Sequence, residues 1–266
     1  MKKRISIVSA LLGLVACTAP PPVGETAAHD LGILWVRDSA EYQALSLQAY
    51  TTASRDLPAM IDDTSWSALP DQEDAASLPP AIIFDVDETL VSNVQFQVDL
   101  EPPFRNSKLD DWNAANEALP VPGAASFVQL ARESGVSVFF ITNRPCERKE
   151  GTSDPCPQKA VTIQDLRESG IPADERNVML SHEQPGWTRE KKVRRDLIAR
   201  DYRVIMLVGD DLGDFIPCVR TKPVAPCTEA ATMASRQRDT EKYASFWGKG
   251  WYVLPNPMHG SWISAD

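Results

Sequence analysis

The chain has 266 residues, of which 43% are hydrophobic and 24% charged, a balance that suits one substantial core with appendages in one or two domains. Its formal net charge of −10 argues against a nucleic-acid polymer as partner, because such polymers are held by a basic face. A small phosphorylated ligand held by local cations or a metal stays open.

The first segment is not part of the fold. MKKR supplies a positive start, and ISIVSALLGLVA is an apolar run too short to span a bilayer, ending in the small residue Ala16. Residues 1–16 therefore read as a signal peptide. Leu14-Val15-Ala16-Cys17 resembles the lipobox of bacterial lipoproteins, in which Cys17 is lipidated and becomes the mature N-terminus. Loss of Lys2, Lys3 and Arg4 with that segment would move the charge from −10 to −13. Residues 17–30, rich in Pro and Ala, read as a lipidated tether between a membrane and a domain over 31–266.

Within that domain, residues 35–57 carry Tyr42, Leu45, Ala49 and Tyr50 at helical spacing and predict a helix. Residues 61–80 are polar and proline-bearing, a connector. Apolar runs follow at 81–84 (AIIF), 136–141 (VSVFFI), 177–180 (NVML), 204–208 (VIMLV) and 251–254 (WYVL). Continuous apolar runs suit strands covered on both faces, and helical segments at 124–134, 159–169 and 190–199 lie between them. The expected fold is α/β, a parallel sheet flanked by helices. Residues 94–122 show no strand signal and predict a helical insertion over the site, together with the N-terminal helix. Cys146, Cys156, Cys218 and Cys227 fall into two close pairs, so Cys146–Cys156 and Cys218–Cys227 are the favoured disulfides of an exported chain. Neither pair has C-x-x-C spacing and the chain has 3 His, which disfavours zinc.

In an open parallel sheet, ligands bind at the carboxyl ends of the strands. Asp85, Thr142 and Asp210 each stand at or one glycine beyond the end of an apolar run, so this topology brings them to one edge. Any one of them taken singly reads as a solvent-facing loop residue; the shared placement argues otherwise. Convergence of Asp85, Asp87, Asp210, Asp211 and Asp214 would be unfavourable without a cation, and an all-oxygen set suits Mg²⁺. Structural Ca²⁺ is the competing reading, disfavoured because the acids sit at strand ends and not in one ligating loop. A carboxylate can also act as nucleophile, forming an aspartyl-phosphate, and a second aspartate two residues on leans to the same side of an extended chain to exchange protons. A lysine of KKVRR (191–195) and the Thr142 hydroxyl could hold phosphoryl oxygens.

These residues resemble a known group. Asp85-Val86-Asp87-Glu88-Thr89 is similar to the D-x-D-x-T signature of the haloacid dehalogenase-like (HAD) superfamily, and FITNR (140–144), Lys191 and GDDLGD (209–214) resemble its further motifs in order. The longer stretches IFDVDETLVSNVQF and GDDLGDF resemble the signatures of class C acid phosphatases, the lipoprotein acid phosphatase and 5′-nucleotidase family, as do residues 34–50, 119–124 and 253–262. Val86, Leu90, Phe96, Asp211 and His259 depart from that pattern. The resemblance implies a HAD-like Rossmannoid sheet with a small helical subdomain. It implies Asp85 as nucleophile and Mg²⁺ ligand, Asp87 as general acid/base with its backbone carbonyl on the metal, Asp210 as a further ligand and Asp214 in support of the metal. Thr142 and Lys191 would bind phosphate, Lys191 being preferred to Lys192 by its spacing from Arg194-Arg195. Phe96 and Trp112 are candidate stacking platforms for a substrate ring, though a helical aromatic is more often core. Asn143 is a further candidate substrate contact. Arg144 reads either as a group orienting the site or as a structural ion-pair partner. Glu88, pointing away on an extended chain, receives no chemical role.

The expected activity is a Mg²⁺-dependent phosphomonoesterase acting on nucleoside monophosphates or similar small phosphomonoesters, exported and lipid-anchored, at the outer membrane or periplasm if the host is Gram-negative. A homodimer is also considered. A non-catalytic binding lipoprotein on the same scaffold and a phosphotransferase are the alternatives.

Overall fold

The computed structural model describes residues 25–101, 104–115 and 117–263. The expected signal peptide, Cys17 and the first part of the tether lie outside the described residues. The described chain starts with helix α1 (Glu25–Asp38), which already occupies the end of the stretch expected to be a tether. The single helix expected over 35–57 is two helices. Ser39 adopts an extended conformation, ends α1 and caps α2 (Ala40–Asp62) by accepting a hydrogen bond from the Tyr42 N–H at 3.1 Å. Tyr42, Leu45, Ala49 and Tyr50 all lie beyond this break, so their periodicity does not reveal it.

Five parallel strands make the central sheet in the order β5-β4-β1-β6-β7. They are β1 (Pro80–Phe84), β4 (Ser137–Pro145), β5 (Val178–Ser181), β6 (Arg203–Gly209) and β7 (Trp251–Val253). The side chains of β1 explain why its run is continuously apolar. Ile82 and Phe84 enter a core with Tyr50, Leu57, Phe127 and Phe140 on one face, while Ile83 enters the opposite core with Leu207, Phe215 and Trp251. On β6 the alternation slips once. The pairing with β1 jumps from Ala81–Val204 to Ile82–Met206, so Ile205 is an extra residue and shares a core with Met206.

Helices α5 (Ala124–Glu133), α6 (Pro157–Glu168) and α7 (Lys192–Ile198) lie between strands as expected, and α8 (Met233–Lys242), which the apolar pattern did not announce, precedes β7. The insertion holds α3 (Val94–Asp99) and α4 (Asn106–Ala114). It also holds one strand that was not expected: β3 (Leu119–Pro120) pairs antiparallel with β2 (Val91–Ser92). Both residues of β3 are exposed, so no buried alternation marks it. Cys146 bonds to Cys156 and Cys218 to Cys227, the pairing expected from the sequence. Among the described residues no helix is long and apolar enough to cross a membrane.

Candidate active site

The site grows from the tight loop after β1. The N–H groups of Leu90 and Val91 both donate to the Val86 carbonyl, at 2.8 and 3.1 Å, and Glu88 takes a left-handed backbone conformation to make the turn. The buried Glu88 carboxylate closes it, accepting from the Asn93 N–H at 2.9 Å and the Ser92 hydroxyl at 3.2 Å. Asp85 and Asp87 are thereby held two positions apart at the carboxyl end of the central strand, and the Asp85 N–H donates to Val208 of β6 at 2.9 Å.

Lys191, immediately before α7, buries its ammonium between two carboxylates, pairing with Asp85 and with Asp214 Oδ1 at 2.5 Å. Its neighbour Lys192 turns outward and pairs with Asp196 at 2.8 Å. Asp210, one residue beyond β6, accepts from the Asn256 amide at 2.7 Å and the Thr89 hydroxyl at 3.2 Å. Carboxylate oxygens of Asp85, Asp210 and Asp214 all lie within 4.8 Å of one another. Burial pushes Asp85 up to about 6 against the pull of Lys191, with Asp214 and Asp87 pushing further. Asp210 is driven well above the ordinary carboxylate range, by burial and then by Asp85 and Asp214. Three carboxylates thus crowd around one ammonium that pairs with two of them. The surplus of negative charge and the purely oxygen donor set fit a hard divalent cation, and Asp214 belongs to this cluster as closely as Asp210 does.

Asp87 has a separate partner. Arg144 donates to both its oxygens, from Nε at 3.0 and 3.1 Å and from the terminal nitrogen at 2.8 Å, joined by the Asn93 amide at 2.8 Å and the Thr142 hydroxyl at 3.2 Å. Burial disfavours its ionised form, but the charge and hydrogen bonds of Arg144, Asn93 and Thr142 outweigh that and hold it below the usual range. Thr142 lies inside β4, which runs on to Pro145 past the apolar segment. Asn143 offers its side-chain oxygen to Arg194 at 3.1 Å.

Two arginines beside Lys191 fasten the motif segments together. Arg194 is fully buried and donates to the carbonyls of Thr142, at 2.6 Å, and Thr188, at 3.1 Å. Arg195 donates to the carbonyls of Gly213 and Asp214 at 3.1 and 2.8 Å. KKVRR therefore presents one ammonium to the site and two guanidinium groups to the loops that build it. Glu190 adds a further tie, accepting from the Cys218 N–H at 3.0 Å.

The five acids expected to converge do not all do so. Asp211 turns to the C-terminal segment, accepting from the Ser261 hydroxyl at 2.7 Å and the Gly213 N–H at 2.8 Å, because its carboxylate caps the short turn at Leu212–Asp214. Phe96 and Trp112 do come together, with ring centroids 5.8 Å apart, but Phe96 is buried and packs edge-on against Phe104 at 6.3 Å. Phe104 is the exposed ring of the three, a residue for which the sequence carries no distinguishing signal. His259 sits 3.5 Å from the Glu88 carboxylate.

A strand-end carboxylate cluster on a five-stranded parallel sheet suits cation-assisted phosphoryl transfer. The chain matches the model of the HAD superfamily, subfamily IIIB (acid phosphatase), over residues 28–262, and it belongs to that family. Its fold is similar to the crystal structure of the class C acid phosphatase from Bacillus anthracis with tungstate bound, at 25% identity and a TM-score of 0.69, covering 89% of this chain and 87% of that one. A second structure of the Bacillus anthracis class C acid phosphatase matches at a TM-score of 0.68 with the same identity and coverage. The chain is thus a hydrolase of small phosphoric monoesters.

Proposed function

We propose that this phosphatase uses a divalent cation, Mg²⁺ foremost, to hydrolyse nucleoside monophosphates or comparable small phosphomonoesters through an aspartyl-phosphate on Asp85, tethered outside the cytoplasmic membrane by lipid on Cys17. The observation that carries the reading is the paired placement of Asp85 and Asp87. One lies in a surplus of negative charge beside Lys191, and the other lies apart on Arg144 with part of its side chain open to solvent, 21% exposed.

Asp85 attacks phosphorus and the ester P–O bond breaks, the leaving oxygen taking a proton from Asp87, which Arg144 makes a strong acid that must be charged with its proton in acidic medium before each turnover. Water then gives its proton to Asp87 as it attacks the aspartyl-phosphate, releasing phosphate and restoring Asp85. Asp85, Asp210, Asp214 and the Asp87 carbonyl are the groups to hold the cation, which would neutralise charge on the phosphoryl oxygens. Lys191 keeps Asp85 oriented and offers its remaining N–H to the phosphoryl group, with Thr142 beside it. That the related Bacillus anthracis enzyme was crystallised with tungstate, a tetrahedral oxyanion, supports an oxyanion pocket here.

The test is phosphate release from a panel of monophosphates by purified protein, with and without chelator. Asp85→Asn should lose nearly all activity and Asp87→Asn about a hundredfold or more. Chelation should abolish turnover and Mg²⁺ restore it. Wild-type rates in Asp85→Asn would make the nucleophile assignment wrong. Phosphorylated product formed from an added alcohol would redirect the reading to phosphotransfer.

A further inference from the structure

Arg144 is buried, 4% exposed, and its guanidinium is spent on two carboxylates. One edge holds Asp87. The other, through its second terminal nitrogen, pairs with Asp165 of α6, with the Thr162 hydroxyl at 3.5 Å. The Arg144 N–H donates to the Thr142 hydroxyl at 3.1 Å, and the Ser181 hydroxyl donates to its carbonyl at 3.2 Å, so backbone and side chain are both fixed.

Asp165 has no evident structural need. Its side chain is fully inaccessible, its Oδ1 has no hydrogen-bond partner, and its neighbours Ile163 and Leu166 enter the apolar core. A buried carboxylate there is costly, and an apolar residue of similar size would normally serve stability better. What the carboxylate does provide is a second anchor for Arg144. A guanidinium tied only to Asp87 would be free to swing toward the phosphoryl oxygens, which it matches as a fork. Anchored at both edges, it stays on Asp87.

The consequence falls on the two oxygens of Asp87. Oδ1 receives Asn93, Arg144 Nε and the Arg144 terminal nitrogen, whereas Oδ2 receives only the longer bonds from Thr142 at 3.2 Å and Arg144 Nε at 3.1 Å. We infer that Asp165 is a positioning residue: acting through Arg144 it fixes the Asp87 carboxylate with Oδ1 saturated, leaving Oδ2 to exchange the proton with the leaving group. This rests on the reading of Asp87 as general acid.

Leaving groups separate a positioning role from a merely structural one. A nitrophenyl phosphate departs as a stable phenolate and needs little protonation, whereas an alkyl or nucleoside monophosphate needs the proton as its P–O bond breaks. With the full metal-loaded enzyme, Asp165→Asn and Arg144→Lys should lower kcat about tenfold more on the alkyl ester than on the nitrophenyl ester, with KM changed by less than about twofold. Asp87→Asn, run alongside, should show the same selectivity more strongly. Equal losses on both esters, or none, would overturn the inference while leaving Asp87 intact as the acid. If Asp87→Asn itself showed no selectivity, the general-acid reading would fail and the positioning role with it. Should Asp165→Asn not fold, Asp165→Glu, which keeps the charge but displaces it by one methylene, is read by the same ratio: a larger loss on the alkyl ester supports the positioning role and equal losses overturn it.

Discussion

At the scale of single residues, two adjacent lysines have opposite fates. Lys191 is buried against Asp85 and Asp214, and Lys192 makes an outward helical pair with Asp196. Truncating Lys191 leaves the buried Asp85 and Asp214 carboxylates without the ammonium that pairs with both, so Lys191→Ala should cost at least about a hundredfold in kcat/KM, while Lys192→Ala should stay within about twofold. Steady-state assay of the two variants side by side checks both. His259 makes a second prediction. Burial works to lower it, but the hydrogen bond and charge of Glu88, with the charges of Asp87 and Asp211, outweigh burial and raise it above the ordinary 6.5. A histidine raised by folding stabilises below its unfolded value, about 6.5, and that contribution is lost as pH rises through the folded value. The thermal midpoint of His259→Gln should therefore fall furthest below wild type at mildly acidic pH and approach it in alkaline buffer. Asp85 and Asp87 were readable because they follow directly on the continuous apolar run of β1, at the strand end where an open parallel sheet binds its ligands, although the chain there turns instead of staying extended. The grip of Arg144 on Asp87 and Asp165 was not, since it joins residues 57 and 21 positions apart, and only the packing of α6 beside β4 brings them together.

At the scale of elements, close approach decides where a residue type has no substitute. Gly209 ends β6 directly beneath Asp214, and a Cβ there would collide with the Asp214 side chain, oxygen included. Gly209→Ala must push the Asp214 carboxylate off Lys191 and away from Asp85 and Asp210. Activity should fall at least about tenfold, with a higher concentration of added metal needed for half-maximal rate, while the circular dichroism of the sheet and helices is kept. Strands and crossover helices were legible as long apolar runs and amphipathic stretches. The break at Ser39 and the β2–β3 ribbon were not. One depends on a single capping residue that stands before the helical spacing begins, and the other on backbone pairing by exposed residues. Arg194 and Arg195 were visible only as charges, and charge in a helix usually means solvent. Here they reach the carbonyls of loops on either side.

At the scale of the whole molecule, the strand order sets which parts of the sheet can open first. The site hangs from β1, which is flanked by β4 and β6, while the shorter strands β5 and β7 take the two edges. Those edge strands are the ones exposed to fraying, and each can peel away without breaking the ladders on β1. Measured by amide hydrogen exchange, Ile82, Ile83 and Phe84 should exchange only through global unfolding, whereas Trp251, Tyr252 and Met179 should exchange through smaller openings with lower free energies. Slower exchange in β7 than in β1 would contradict this ordering. Asp85, the proposed nucleophile, is thus carried by the last part of the protein to open, whereas fraying of β7 or β5 would first loosen the hold of Asn256 on Asp210 and of Ser181 on Arg144, so activity should fade before the fold is lost as a whole.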